Sequence, residues 1–196
     1  MKARQYINMM GMAAAVLLSS CVKDTLYDTP HPDKGVVTIS LTGLSADDNY
    51  VLDMDGKVAD ITGSPFTNPD LLNPGTHSMV IYNRAEGFTF DGRMARVNAP
   101  DGKSRADGAS VIPLPGYLKT ISQEITVTAD DTLRVNPVPQ QRVRDLQLEL
   151  EVTQGRPELI QSVTATLSGI AGIFDMEKGQ TIGEPTSTVF SFTRDG

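Results

Sequence analysis

The sequence predicts an all-β protein built from tandem antiparallel Greek-key β-sandwiches, the second of them incomplete. Three observations lead there. Apolar residues alternate with polar ones in many short runs, the period of a half-buried strand. Asp-Gly and Pro-Gly pairs punctuate those runs at hairpin spacing. No segment keeps a helical period over three turns.

The runs can be taken in order. "VVTISL" sets Val37, Ile39 and Leu41 on one face, with Thr38 and Ser40 opposite. "NYVLDMDGKVADI" holds two strands around Asp55-Gly56, a turn whose residues tolerate positive φ. "LLNPGTHSMVIYN" passes from Pro74-Gly75 into a strand over Ser78–Tyr82, and "FTFDGRMARV" repeats the hairpin pattern at Asp91-Gly92. "NAPDGKSRADGAS", from Asn98 to Ser110, reads as a long exposed loop. Alternation resumes at Tyr117 in "YLKTISQEITVTA".

"NPVPQQ", Asn136–Gln141, reads as a linker. Beyond it, "VRDLQLELEV" places Leu146, Leu148, Leu150 and Val152 on one face against Gln147, Glu149 and Glu151. That pattern predicts a half-buried antiparallel strand. "LIQSVTATLSG" and "STVFSFT" continue it. The expected organisation is a first sandwich over 35–138 and an incomplete second one over 141–196. Its end at Asp195-Gly196 looks like a hairpin turn without a return strand, as in a truncated frame. "LTGL…LDMDGK" and "LSGIAGIFDMEKG" also echo each other faintly across the two parts.

Composition limits function. The formal charge of −7 argues against nucleic acid, whose recognition needs a basic surface. One cysteine excludes an internal disulfide and any multi-thiolate zinc site. The two histidines, His31 and His77, lie in "TPHPD" and "NPGTH" and read as turn residues. "DMDGK" at Asp53 resembles part of a calcium loop, but its glycine comes fourth and no glutamate stands twelfth, so a turn is expected. Asp47-Asp48 and Asp130-Asp131 read as turn and strand-end charges. No G-x-S-x-G, P-loop or GxGxxG occurs, so no catalytic residue, metal, cofactor or small-molecule substrate is expected.

The N-terminus is more informative. Lys2 and Arg4 precede the ten-residue apolar run "MMGMAAAVLL", Met9–Leu18. That run is too short to span a bilayer, which takes about 20 residues, and suits a secretory signal. It ends in Leu18-Ser19-Ser20-Cys21. This is the pattern of a lipobox: a large apolar residue, two small ones and the only cysteine. Cleavage between Ser20 and Cys21 requires a small residue at Ser20, and the Cys21 sulfur would carry a diacylglyceryl group. One acyl chain anchors only marginally, at about 0.8 kcal/mol per buried CH₂, whereas two or three hold. Residues 1–20 would thus be a signal peptide. Its loss removes Lys2 and Arg4 and no acid, leaving the chain more acidic still. Residues 21–34, polar and bearing Pro30 and Pro32, would be a tether reaching roughly 40 Å when extended.

"CVKDTLYDTPHPDKGVVTISL", "LNPGTHSMVIYN" and "QSVTATLSGIAGIFDMEKG" resemble the FimB/Mfa-type fimbrial subunit family, fimbrillin-associated anchor proteins of Bacteroidales. "LYDTPHPDKG" is the most specific of these stretches, and the resemblance runs from Cys21 to about Gly183. It implies transthyretin-like sandwiches and a lipoprotein of the outer membrane, exposed at the surface. It implies fimbrillin or other fimbrial subunits as partners, joined by strand addition, with Cys21 as the lipidated anchor. The family usually has a complete second sandwich, whereas this chain is expected to stop inside its own. A surface glycan-binding lipoprotein is the alternative. It would need an exposed aromatic cluster, whereas Tyr50, Tyr82, Phe88, Phe90 and Tyr117 fall in alternating runs expected to pack inside. A secreted hydrolase is a third reading, without a site to support it.

Overall fold

A computed structural model describes residues 33–42, 49–101 and 110–193. Ser20, Cys21, the signal peptide and nearly all of the tether lie outside the described residues. So do His31, Asp47-Asp48 and Asp195-Gly196.

The fold is all-β. The strands are β1 (Val36–Ile39), β2 (Tyr50–Met54), β3 (Lys57–Ile61), β4 (Phe66–Thr67), β5 (Gly75–Asn83), β6 (Phe88–Asp91) and β7 (Met94–Val97). They continue as β8 (Lys119–Val127), β9 (Thr132–Val135), β10 (Gln140–Gln141), β11 (Thr164–Ile170), β12 (Ile173–Asp175), β13 (Gln180–Ile182) and β14 (Thr186–Ser191). The helical content among the described residues is one 3₁₀ turn at Pro157–Leu159.

A five-stranded antiparallel sheet, ordered β10-β8-β5-β2-β3, lies at the centre. β2 is buried at all five positions, and β5 is buried from Met79 to Asn83. Alternation explains why both faces are covered. Tyr50, Leu52, Met54, Met79 and Ile81 point into one core with Val37 and Ile39 of β1. Val51, Val80 and Tyr82 point the other way, into a second core with Ala95, Leu118 and Met176. The three-stranded sheet β4-β1-β9 covers the first face, and the four-stranded sheet β13-β12-β7-β6 covers the second. A strand buried on both faces reads as a continuous apolar run, as "MVIY" does.

One ladder departs from the expected antiparallel pattern. β1 runs parallel to β9, from Val36 opposite Thr132 to Ile39 opposite Val135. Parallel neighbours need a long crossover, and here residues 40–131 supply it.

The sheets do not divide at 138–141. Gln140 and Gln141 of "NPVPQQ" pair with Thr120 and Lys119 of β8. β12 pairs with β7, Ile173 opposite Arg96 and Asp175 opposite Met94, so one sheet draws strands from both sides of that point. β11 and β14 form a separate two-stranded ribbon. It meets the rest at Val111, which bridges Thr188, donates N–H to Ser187 O at 3.0 Å and accepts from the Thr188 hydroxyl at 2.8 Å.

The strand expected over Leu146–Val152 is not in any sheet. Leu146, Leu148, Leu150 and Val152 are 63, 48, 56 and 41 % exposed. The physical reason is that alternation makes a segment amphipathic but does not provide a neighbour to bond it.

This distribution of burial sets a contrast. Leu52→Ala, at a site with no exposure, is expected to destabilise the chain by about 2–5 kcal/mol. Leu148→Ala is expected to change stability by less than about 0.5 kcal/mol. Denaturant unfolding of the two variants checks the difference; a large loss from Leu148→Ala would show that the segment packs inside.

Candidate functional site

Two features stand out: a polar cluster where three hairpin turns meet, and the exposed segment that leaves the central sheet after β10.

The cluster begins at the β2–β3 turn. Asp55 and Gly56 both have positive φ, 52° and 85°, the conformation that two-residue hairpins favour. Asp53, the last inward polar residue of β2, turns its carboxylate back to accept from Gly56 N at 2.8 Å. Asp55 reaches β5 instead. Its Oδ1 accepts from Ser78 N at 2.8 Å, and its Oδ2 accepts from His77 Nδ1 at 2.5 Å. His77 Nε2 donates to Asn73 O at 2.7 Å. With both ring nitrogens facing acceptors, the protonated ring is favoured. The Asp55 bond raises the His77 pKa above its ordinary value, against the opposing effect of burial. Burial pushes the Asp55 carboxyl up, but the bonds from His77 and Ser78 N, with the nearby positive charges, bring it below its ordinary value. His77 was expected merely as a turn residue; it lies within β5 and clasps two turns.

Arg93, in the β6–β7 turn, fastens this hairpin to the second half. Its Nη2 donates to Asp53 Oδ1 at 2.8 Å, while Nη1 donates to Ser78 Oγ at 2.6 Å and to Glu177 Oε1 at 2.7 Å. The Arg93 and Asp53 side chains are only 13 and 4 % exposed. The Asp53 bond raises the Arg93 pKa further.

Glu177 belongs to the β12–β13 turn, where the sequence echo becomes structural. Asp175 is as buried as Asp53, and its Oδ1 accepts from Glu177 N at 3.1 Å and Lys178 N at 2.9 Å. The Lys178 N–H holds the Asp175 carboxyl below its ordinary range, against the cost of burial. In "DMDGK" and "DMEKG" alike, a buried Asp caps the turn and the next Met, Met54 or Met176, fills a core. The turn reading of "DMDGK" thus describes Asp53, whose carboxylate already holds a guanidinium. Asp130 and Asp131 likewise form a turn, with Asp130 at φ 57° and the Asp131 carboxylate accepting from Thr132 N at 2.7 Å.

The cluster is suited to joining elements. The Ser78 hydroxyl accepts from Arg93, while His77 faces Asp55 and Asn73, so the two are not arranged as base and nucleophile.

The chain leaves the central sheet through a second set of contacts. Arg142 N donates to Leu118 O at 2.7 Å, and its Nε donates to the Thr120 hydroxyl at 3.0 Å. Its guanidinium lies 5.3 Å from the Phe174 ring centre, within cation–π range. Val143 packs on the second core, and Tyr117 Oη donates to Asp145 Oδ2 at 2.5 Å. Beyond Asp145, through Gln161, every residue is exposed. Tyr50 and Tyr82 are buried and Phe88 and Phe90 half-buried, as expected, but Tyr117 is 47 % exposed. Nothing in the sequence marked Arg93 or Glu177, since a turn Arg and a turn Glu are ordinary surface residues until folding apposes them.

The chain matches no family model, and no curated protein matches it in sequence. Among solved structures it is similar to a Bacteroides ovatus protein described as "a putative adhesin". The TM-score is 0.54 at 17 % identity, over 88 % of this chain and 70 % of that one. The likeness is one of fold.

Two outcomes follow from the cluster. Arg93→Ala leaves the buried Asp53 carboxylate without its cation and is expected to cost about 3–5 kcal/mol. Asp53→Asn added to it should recover part of that loss in denaturant unfolding; no recovery would show that the pairing is not the cause. The second outcome concerns pH. The raised pKa of His77 gives stability that is complete below its ordinary 6.5 and is lost as pH rises through its higher folded value. The lowered pKa of Asp55 gives stability that is complete above its ordinary 3.8 and is lost as pH falls through its lower folded value. Thermal stability contributed by the clasp should therefore be greatest between those two values, and His77→Gln should flatten the loss on the alkaline side.

Proposed function

We propose that this chain is a bacterial outer-membrane lipoprotein that serves as an anchor or accessory subunit of a fimbrial polymer. The observation that carries the reading is Leu18-Ser19-Ser20-Cys21 directly after a basic start and a ten-residue apolar run. In it, Cys21 bears the acyl chains, cleavage falls after Ser20, and residues 21–34 hold the β-fold off the lipid surface. The fimbrial partner would be a fimbrillin-like subunit, engaged through backbone pairing of strands. The surface-exposed location and the role in adhesion draw support from the fold shared with the Bacteroides ovatus protein described as "a putative adhesin". The resemblance of "LYDTPHPDKG" and its companion stretches to fimbrial anchor proteins supports the finer assignment.

The role is structural rather than catalytic. The polar cluster supports this, because its charged groups are spent on one another across three turns. A glycan-binding role would need a platform of exposed rings. Of the five aromatics in the alternating runs only Tyr117 is exposed, and its hydroxyl is held by Asp145.

Intact mass and membrane fractionation of the native protein, beside Cys21→Ala, test the reading. The expected result is loss of residues 1–20 with gain of acyl groups in the native chain. The variant should stay as precursor or leave the membrane, with polymer shed from the cells. A soluble, unacylated mature protein would contradict both the lipid anchor and the fimbrial role.

A further inference from the structure

Both nitrogens of the His77 ring face groups that can only accept. Nδ1 lies 2.5 Å from Asp55 Oδ2, and Nε2 lies 2.7 Å from Asn73 O. An ionised carboxylate and a backbone carbonyl have no hydrogen to give. Two acceptors at those distances need two ring protons, so the arrangement is that of the imidazolium. A neutral imidazole has one N–H, and its other nitrogen presents a lone pair. Loss of the proton must therefore break one of the two contacts.

Charge decides which contact yields. The bond to Asp55 is assisted by the carboxylate, and such bonds are roughly twice as strong as neutral ones. Asp55 is also held from its other side, where Oδ1 accepts from Ser78 N at 2.8 Å. The remaining proton stays on Nδ1, and Nε2 then meets Asn73 O lone pair to lone pair. Asn73 is placed to move. Pro74 after it has no N–H to bond, and β5 begins only at Gly75. Leu72 before it carries the displacement onward. Its N–H donates to Gly35 O at 3.0 Å, and its carbonyl accepts from Gly35 N at 2.9 Å. Gly35 leads directly into β1.

The neighbouring charges do not change state in the same range. In the β2–β3 turn, Asp53 is bonded to Arg93, and Lys57 pairs with Asp70 of the β4–β5 loop at 3.0 Å. Arg93, from the β6–β7 turn, adds positive charge beside Asp55. On β8, Ile125 stands opposite His77 and Glu124 opposite Ser78. Near Gly35, Asp130 N donates to Lys34 O and Asp131 O accepts from Val36 N. Carboxylates titrate near about 4 and Lys and Arg above about 10, so among the described residues His77 is the group that changes charge near neutrality.

We propose that residues 72–75 form a proton-operated latch on the start of β1. With His77 charged, Asn73 is held and Leu72 is locked to Gly35. With His77 neutral, Asn73 is released and the Leu72–Gly35 pair opens. This is a local opening, distinct from the change in overall stability. Under the proposed function the tether joins the fold at Gly35, so the latch sets how firmly the base of the domain is gripped. The latch itself does not depend on that reading.

The test is amide hydrogen exchange by NMR on the purified chain, followed across the titration of the His77 ring. With the intrinsic effect of pH divided out, protection of the Leu72 and Gly35 amides should fall about tenfold as the ring loses its proton, the size of one hydrogen bond. Val51 and Ile81 in the central sheet should keep theirs. Nitrogen shifts of the neutral ring should place its proton on Nδ1. His77→Gln should fix the low protection at every pH. Asp55→Gly, which suits the positive φ there, leaves the neutral ring free to keep Nε2–H on Asn73 O, so protection should no longer follow the titration. His31→Gln should leave the fall unchanged. Protection of Leu72 that ignores the ring titration, or a fall shared equally by Val51 and Ile81, would overturn the proposal. So would a neutral ring protonated on Nε2, a fall that persists in His77→Gln or Asp55→Gly, or one abolished by His31→Gln.

Discussion

Burial of β2 and β5 on both faces governs the rest of this molecule. In a strand with one wet face, Asp53 would point into water. Here its side of the sheet is covered by β7 and β12, so its carboxylate must find a cation inside the protein. Arg93 is that cation, and its second nitrogen continues to Glu177 in the turn that follows β12. The pair thus couples the central sheet to strands from the far end of the chain. A buried ion pair adds little net stability over a well-packed apolar one. Its contribution here is geometric, since the planar fork fixes where the β6–β7 and β12–β13 turns sit relative to β2.

The same two-sided packing explains what was legible in the sequence. Val37, Ile39 and Leu41 alternate because β1 covers only one face of the core, and that pattern predicts their burial. Asp55-Gly56 marks its turn because few residues accept positive φ, and Gly92 does the same for the β6–β7 turn, one residue later than expected, since Asp91 pairs with Met94. Where reading failed, the missing information was in a second segment. "LQLELEV" alternates as cleanly as β1, yet alternation belongs to one chain and a strand to two. The two-residue strands β4 and β10 are too short to show any period. The parallel β1–β9 ladder, with residues 36 and 132 opposed, leaves no local trace.

The polar cluster shows the same limit at a finer scale. The echo between "DMDGK" and "DMEKG" was visible, but not its cause, which is a buried Asp that caps each turn while the adjacent Met fills a core. His77 read as a turn residue because Pro74-Gly75 precede it. Its role depends on Asp55, apposed only when β2 and β5 pair. The proposed function combines two parts of different legibility: a lipid attachment written in four consecutive residues, and a three-layer core that folding reveals.

Native-state hydrogen exchange on the purified chain tests the central claim most directly, because it reports the core and the exposed segment together. The account predicts that the amides of β2, β5 and the β7–β12 ladder exchange slowest and through a shared opening, while those of 146–152 exchange at nearly the rate of an unstructured peptide. Protection of residues 146–152 in the isolated chain, or a β12 that opens independently of β2 and β5, would contradict it.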